Sequence, residues 1–169
     1  MATDLRVIGP ISIDYQKAGL IKQIRGNHVK SFFEKEEFQS ISKKQGCYVF
    51  ALKAGHGSTP WYVGKTTNSM IKECMVDGKL KCYNEILFRG IKGKPVMFFI
   101  VPLGNKNKIP AKIIDEVETF LIQSARSQNE HSKNKKKVNL PYWNIKGVIR
   151  SPKGGPEKEA KALKKMMGL

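Results

Sequence analysis

The sequence contains few cysteines, few acidic residues and no long apolar run. Its three cysteines, Cys47, Cys74 and Cys82, are an odd number without a C-x-x-C pair, which argues against a disulfide framework and a zinc knuckle. We expect them to be buried as small apolar side chains. No apolar run approaches the roughly twenty residues of a membrane-spanning helix, and the N-terminal segment lacks the pattern of a secretory signal. A cytoplasmic protein without a membrane partner is therefore expected.

Basic residues greatly outnumber acidic ones, with 31 Lys and Arg against 14 Asp and Glu, which gives a formal net charge of +17. Such a charge attracts polyanions over nanometre distances and is screened by salt. Nucleic acid is therefore the first partner to consider. The 169 residues, of which 40% are apolar, are sufficient for one sizeable core, so one domain with extensions is expected.

Four segments carry the patterns of β-strands. Residues 11–16 (ISIDYQ) alternate apolar and polar side chains like a short strand. Residues 47–52 (CYVFAL) and 61–64 (WYVG) are rich in β-branched and aromatic residues, and the turn-forming cluster between them predicts a hairpin with a wide loop. Residues 95–103 (PVMFFIVPL) are long and bulky enough for a central strand.

Other segments show helical spacing of their apolar residues. The pattern predicts one amphipathic helix over residues 28–41, with Asn27 as its N-cap, and two helices over 69–75 and 79–90. The most regular helix begins near Pro110. Six apolar residues of this last helix are expected to face inward: Ile113, Ile114, Val117, Phe120, Leu121 and Ala125.

Two short motifs resemble the paired signature of the GIY-YIG endonucleases. They are Gly-Cys-Tyr at 46–48 and Trp-Tyr-Val-Gly-Lys at 61–65. In that family a tyrosine on each strand of a hairpin points into one site, and the second strand leads through Gly-Lys into a helix. The family has an isoleucine where this chain has Cys47, and an arginine on the helix where this chain has Lys72.

The later part of the chain continues the resemblance. A later helix of the family supplies a metal-binding glutamate, then an apolar pair and an asparagine. The segment EVETFLIQSARSQNEHSKN is similar, with Glu118 as the glutamate, and Asn134 or Asn129 as the asparagine. We include Asn134 in the expected catalytic set.

The resemblance covers roughly residues 46–152 and implies a fold. The expected class is α/β of the α+β type, with a central three-stranded antiparallel sheet flanked by helices. Residues 1–45 would form an N-terminal extension packed on this core, with a strand and a helix. Residues 153–169 would form a basic C-terminal helix, with Pro156 near its first turn.

The resemblance also implies a one-metal mechanism for cutting DNA. Pairing of the two strands can bring the two tyrosine hydroxyls to a common site. Tyr48 would take a proton from the attacking water, while Tyr62 and Lys65 would orient and polarise that arrangement. Glu118 would hold one Mg²⁺ or Mn²⁺, and Lys72 would meet the scissile phosphate in place of arginine.

Two groups of lysines are candidates for contacts with the phosphates of double-stranded DNA. We expect them to position the duplex without reading its sequence, with the protein acting as a monomer or weak dimer. One group is in the basic run after the long helix and the other is in the C-terminal helix: Lys133, Lys135, Lys136 and Lys137, then Lys158, Lys161, Lys164 and Lys165.

Two functions remain open from the sequence. The first is a metal-dependent DNA endonuclease that could nick one strand at a time. The second is a non-catalytic nucleic-acid-binding protein that retains the nuclease fold. The non-catalytic alternative is considered because Lys72 replaces the family arginine. Lysine offers phosphate a point charge, whereas arginine offers a planar two-pronged donor.

Overall fold

The structure, a computed structural model, describes residues 3–137 together with residues 159, 162, 163 and 166, and these last four are helical. The described strands are β1 (Leu5–Ser12), β2 (Gln16–Ala18), β3 (Ile21–Gln23), β4 (Gly46–Ala54), β5 (Gly57–Thr66) and β6 (Lys94–Pro102). The described helices are α1 (Gly26–Glu34), α2 (Glu36–Gln39), α3 (Met70–Glu73), α4 (Asp77–Leu87) and α5 (Ala111–Gln128). The predicted mixed α/β class is confirmed.

The main sheet is antiparallel and has four strands in the order β1-β6-β4-β5. The prediction of three strands was wrong, because β1 pairs with β6 from Leu5 opposite Pro102 to Ser12 opposite Val96. The strand predicted at residues 11–16 was misplaced, because β1 spans Leu5–Ser12 and its alternating pattern is interrupted by Pro10 and by a register shift between Ile8 and Ile11. Proline cannot donate to a ladder, and edge strands tolerate it. The N-terminal segment therefore contributes an edge of the sheet.

The β4–β5 hairpin turns within two residues, Gly55 and His56, so the predicted wide loop was wrong. Its strands pair through to Ala54 opposite Gly57. The polar composition of this end reflects exposure to solvent and not loop structure. Gly55 has a φ of 59°, the left-handed conformation that short hairpin turns need and that glycine adopts at little cost.

The predicted N-terminal helix is divided. Lys35 is extended, with φ of −66° and ψ of 134°, and separates α1 from α2; Arg25, not Asn27, is the N-cap. The break allows the buried rings of Phe32 and Phe38 to pack with their centroids 5.1 Å apart. Packing against the sheet therefore overrides the continuous helical pattern.

The two faces of the sheet are covered differently. The larger core lies on the face that α1, α2, α3 and α4 cover, where Phe50 and Tyr83 stack with centroids 4.3 Å apart. A smaller cluster of Val63, Ile122 and Ala125 lies under α5 on the other face. Strand alternation therefore separates neighbouring β5 side chains into two environments.

Helix α5 packs on β5 through a narrower stripe than its sequence predicts. Ile114 and Ala125 are buried as expected, but Phe120 is 59% exposed, and Ile122 is buried although it was not assigned inward. Glu118 lies four residues from both Ile114 and Ile122, so it belongs to the buried stripe itself. No helix in the described part of the chain is long and apolar enough to cross a membrane.

Candidate active site

A groove of about 550 Å³ lies along the outer edge of β5, which is an edge strand of the sheet. We call it the β5 groove. Residues that are far apart in the sequence line it, and eight of them belong to the predicted site: Tyr62, Lys65, Glu118, Lys133, Asn134, Lys135, Lys136 and Lys137. The structure therefore brings most of the predicted site residues that it describes to one place.

The segment after α5 is held along the edge of β5 by hydrogen bonds. The Asn129 side-chain amide donates to the carbonyl of Pro60 at 2.8 Å, and the Lys133 amide N–H donates to the carbonyl of Trp61 at 2.8 Å. Asn134 accepts from the Val63 N–H at 2.9 Å and donates to the Val63 carbonyl at 2.7 Å. Both candidate asparagines thus bind the β5 backbone, and Asn134 also lines the groove.

Two lysines and two carboxylates form an ion cluster beside α5. Lys65 contacts Asp115 and lies 3.2 Å from Glu118, while Lys137 lies 2.7 Å from Asp115 and 2.8 Å from Glu118. Hydrogen bonds from Lys137 and then Lys65 lower the pKa of Asp115 to about 2. Lys137 reaches both carboxylates with a φ of 60°, a conformation uncommon outside glycine.

This cluster includes one residue that the sequence interpretation missed. Asp115 precedes Glu118 by three residues, so both carboxylates lie on the same side of α5. That spacing was a visible signal, but nothing in the sequence indicated that Lys65 and Lys137 would reach both carboxylates. The Glu118 side chain is only 13% exposed, and these two lysines compensate its buried charge.

The carboxylates of Asp115 and Glu118 fit the donor chemistry of Mg²⁺ or Mn²⁺. Mg²⁺ prefers oxygen ligands and commonly uses one or two carboxylates, completing its coordination with water and substrate phosphate. Among residues 3–137, no group of three or more His, Cys, Asp or Glu side chains forms a denser metal cluster. An ion bound here would compete with the contacts from Lys65 and Lys137.

Tyr48 lies on the opposite face from the ion cluster and is completely buried. Its ring covers Gly64, where an added Cβ would lie 2.6 Å from the ring carbon Cε2. Its buried hydroxyl has no hydrogen-bond partner within the described part of the chain. Burial, followed by the neighbouring Tyr62 and Glu73, raises the pKa of Tyr48 well above its ordinary value. In this arrangement its hydroxyl is closed off from water.

Tyr62 lies beside Tyr48, with ring centroids 6.4 Å apart, but it also lines the β5 groove. The ammonium group of Lys79 donates a hydrogen bond to the Tyr62 hydroxyl at 2.6 Å, and Glu73 lies 3.9 Å from that ammonium. Lys79 and Glu73 come from α4 and α3 and were not identified from the sequence. The cation at the tyrosine is therefore Lys79, whereas Lys65 contacts the carboxylates.

Lys72 lies on the short helix α3 and is exposed to solvent. Its side chain makes no hydrogen bond or ion pair with any residue that the structure describes, and it does not line the β5 groove. Its neighbour Glu73 faces the tyrosine pair through Lys79. The structure therefore does not bring Lys72 to the other candidate residues.

The lysines proposed to contact DNA differ in how they are paired. Lys133 lies 2.9 Å from Glu85, and Lys137 belongs to the ion cluster. Lys135 and Lys136 are exposed at the groove and form no ion pair with the described residues. Four other predicted DNA contacts lie outside the described residues: Lys158, Lys161, Lys164 and Lys165.

Comparison of the chain with protein-family models, curated proteins and solved structures finds no significant match. The resemblance to the GIY-YIG endonucleases consequently rests on the motif residues themselves. A functional interpretation depends on the residues that meet in the β5 groove and on their chemistry.

Proposed function

We propose that the protein is a metal-dependent endonuclease that binds double-stranded DNA along the β5 groove and hydrolyses one phosphodiester bond there. One observation carries this proposal. Tyr62 and Lys65 of β5, Glu118 of α5 and the basic segment 133–137 come from three separate parts of the chain and line one groove. At one groove, a phenol, a carboxylate and several ammonium groups can position water, hold a metal ion and bind phosphate, which are functions that assist phosphodiester hydrolysis.

The distribution of charge in the groove supports binding of the DNA backbone. Lys135 and Lys136 are exposed and lack carboxylate partners within the described range, so their ammonium groups are available to phosphates. Lys133 and Lys137 are already paired with acidic groups and would contribute less. Contacts of this kind position a duplex and lose strength as salt increases.

The geometry favours Tyr62 over Tyr48 as the group that accepts a proton from water. Tyr62 reaches the groove, and its hydroxyl accepts a hydrogen bond from the Lys79 ammonium at 2.6 Å, which positions the phenol oxygen. The Tyr48 hydroxyl is buried and would support the reaction only through its neighbour. This assignment differs from the role that the family resemblance implies for Tyr48.

Glu118 and Asp115 are the residues that would hold the metal ion. When bound, Mg²⁺ or Mn²⁺ supplies charge stabilisation at the phosphate and the leaving oxygen. Lys65 and Lys137 neutralise the two carboxylates in the free protein and would turn toward phosphate when an ion takes their place. One groove of this kind per chain would cut one strand at a time.

Conversion of supercoiled plasmid to open circles in the presence of Mg²⁺ or Mn²⁺ tests the proposal. We expect Glu118→Gln to slow this conversion about a thousandfold, because it removes a carboxylate from the ion. Affinity for DNA should be retained, since a negative charge is lost from a polyanion site. Glu116→Gln is the matched control on the exposed side of the same helix and should cut at the parental rate.

A non-catalytic nucleic-acid-binding protein is the second candidate. It is favoured by the pairing of Glu118 with two lysines and by the position of Lys72 outside the groove. A shift in plasmid mobility without cutting, with either ion, would support this candidate and reject the endonuclease. Equal cutting by Glu118→Gln and the parental protein would reject the metal site at Glu118.

A further inference from the structure

A second cavity, of about 600 Å³, lies at the other end of the β4–β5 hairpin, and we call it the turn pocket. Five lysines from four segments line it, and its lining contains no Asp or Glu: Lys17, Lys22, Lys53, Lys92 and Lys94. Lysine side chains repel one another when they converge without acidic partners. The pocket is therefore a concentrated positive site for which the described part of the chain supplies no counter-charge.

Strand register places four of these lysines in two like-charged pairs. Lys53 of β4 lies directly opposite Lys94 of β6, and Lys17 of β2 lies directly opposite Lys22 of β3. Directly opposed residues of an antiparallel pair project from the same face, and like charges in this position destabilise a sheet. Two such pairs from separate sheets line one pocket, which is the arrangement expected where an external anion bridges the ammonium groups.

The buried lysine of the pocket, Lys22, uses only part of its hydrogen-bonding capacity within the protein. Lys22 is 7% exposed, and within the described part of the chain its ammonium group donates one hydrogen bond, to the carbonyl of Ile91 at 2.6 Å. Lys44 provides a comparison, because it is 5% exposed and donates to two carbonyls, those of Gly104 and Lys106. An ammonium group has three donors. Lys44 is held as an internal crosslink, whereas Lys22 retains donors for a ligand.

We infer that the turn pocket binds phosphate groups. Phosphate oxygens accept several hydrogen bonds and carry negative charge, and no acidic residue lines the pocket to pair with its five lysines. Lysine is also a common phosphate ligand. A cavity of this volume has room for more than one phosphate group. The sources of such groups are the backbone of a polynucleotide and a small polyphosphate.

Position favours the polynucleotide backbone, and this part of the inference rests on the proposed function. Lys65, at the β5 groove, is paired with Cys47, which is six residues along β4 from Lys53 at the turn pocket. This separation is about 20 Å at roughly 3.3 Å per residue. It corresponds to about six base pairs of duplex at roughly 3.4 Å each. One duplex could therefore contact both cavities.

Inorganic pyrophosphate is the probe for the pocket itself. Calorimetric titration of the full chain with pyrophosphate should give an affinity that falls about tenfold or more in Lys17→Gln/Lys53→Gln, which removes one exposed lysine from each pair. Lys30→Gln/Lys43→Gln is the matched control, because it removes the same charge from exposed positions outside both cavities. The inference is overturned if the two double variants bind pyrophosphate equally.

Thermal unfolding without ligand provides a second measurement. Removal of like-charge repulsion should leave the free Lys17→Gln/Lys53→Gln protein at least as stable as the parent, while the increase in Tm on addition of pyrophosphate becomes smaller. If this variant does not fold, Lys92→Gln/Lys94→Gln removes two other exposed lysines of the pocket and makes the same comparison. An undiminished increase in Tm in the pocket variant would contradict the inference.

Duplex DNA distinguishes the two sources of phosphate. Binding to duplex DNA is measured in the presence of a chelator, so that no cleavage occurs. The slope of the logarithm of the binding constant against the logarithm of the salt concentration should become shallower by about two in Lys17→Gln/Lys53→Gln. A lower pyrophosphate affinity with an unchanged DNA slope assigns the pocket to a small polyphosphate. If the parental protein binds no DNA, the proposed function fails, and the pyrophosphate titration still decides the pocket.

Discussion

The two ends of the β4–β5 hairpin both present lysines to a cavity, but only one end pairs lysines with carboxylates. At the β5 groove, Lys65 and Lys137 are neutralised by Asp115 and Glu118. At the turn pocket, Lys53 faces another lysine across the sheet, and no acidic residue lines the cavity. The first end pairs some of its lysines with carboxylates and leaves Lys135 and Lys136 unpaired, whereas the second end pairs none of its lysines with an acidic residue of the described range.

This difference shows that a net charge of +17 does not describe a uniform surface. Acidic residues are scarce, and two of them, Asp115 and Glu118, pair with the lysines of the ion cluster, where the proposed function would use carboxylates. A partly buried carboxylate requires compensation, and the two lysines supply it. At the turn pocket all the lysines except Lys22 are exposed, so water and salt moderate the repulsion between them.

The largest expected difference between the two ends concerns their tyrosine hydroxyl groups. Tyr62→Phe should slow plasmid cleavage by about a hundredfold or more, because it removes the group positioned by Lys79 to accept a proton. Tyr15→Phe, at the turn pocket, should cut near the parental rate. Measured cleavage rates test both. If Tyr48→Phe stops cleavage and Tyr62→Phe does not, the assignment from geometry is wrong.

A smaller effect is expected from adding one methyl group at each end of β5. Gly64→Ala should lower the free energy of unfolding by about 1–3 kcal/mol, because the new Cβ would overlap the buried ring of Tyr48. Gly57→Ala is the control, since a Cβ there meets no atom within 4 Å and the residue is exposed. Urea denaturation measures both values. Equal losses would show that Tyr48 can move away from Gly64.

The smallest expected effect is a difference in acid sensitivity. The pKa of Asp115 is about 2 in the folded protein and near 4 when unfolded, so its stabilising contribution is complete above about pH 4 and is lost as the pH falls toward 2. Asp115→Asn should therefore lose less stability over this interval than the parent. Lys53→Gln should follow the parental profile, because its pocket has no carboxylate. Thermal unfolding across this pH range checks all three proteins.

Local sequence patterns located most strands and helices, but they did not predict how these elements pack against one another. The apolar runs located β4, β5 and β6, and the periodicity located α5, because strand and helix periods are properties of short segments. The same periodicity placed Phe120 inward, although the packing of α5 on β5 leaves it exposed. The N-terminal strand was predicted at residues 11–16 but spans Leu5–Ser12, because Gly9 and Pro10 interrupt its pattern.

The candidate site shows the same division. Motif residues pointed to Tyr62, Lys65 and Glu118, and the structure places all three at one groove. Lys79 and Asp115 were missed because their roles depend on how α4 and α5 approach β5. Lys79 belongs to no sequence motif, and the three-residue spacing of Asp115 from Glu118 does not by itself indicate that two lysines reach both carboxylates.

The sequence by itself determined the excess of positive charge, the two tyrosine-bearing strands and the regular helix that carries Glu118. These are properties of composition and short-range spacing. Only the tertiary structure decided that Lys79 contacts Tyr62, that Lys65 contacts carboxylates, and that Lys53 faces Lys94. Such contacts join residues that are distant along the chain, so strand register and helix packing set them, and no local pattern contains that information.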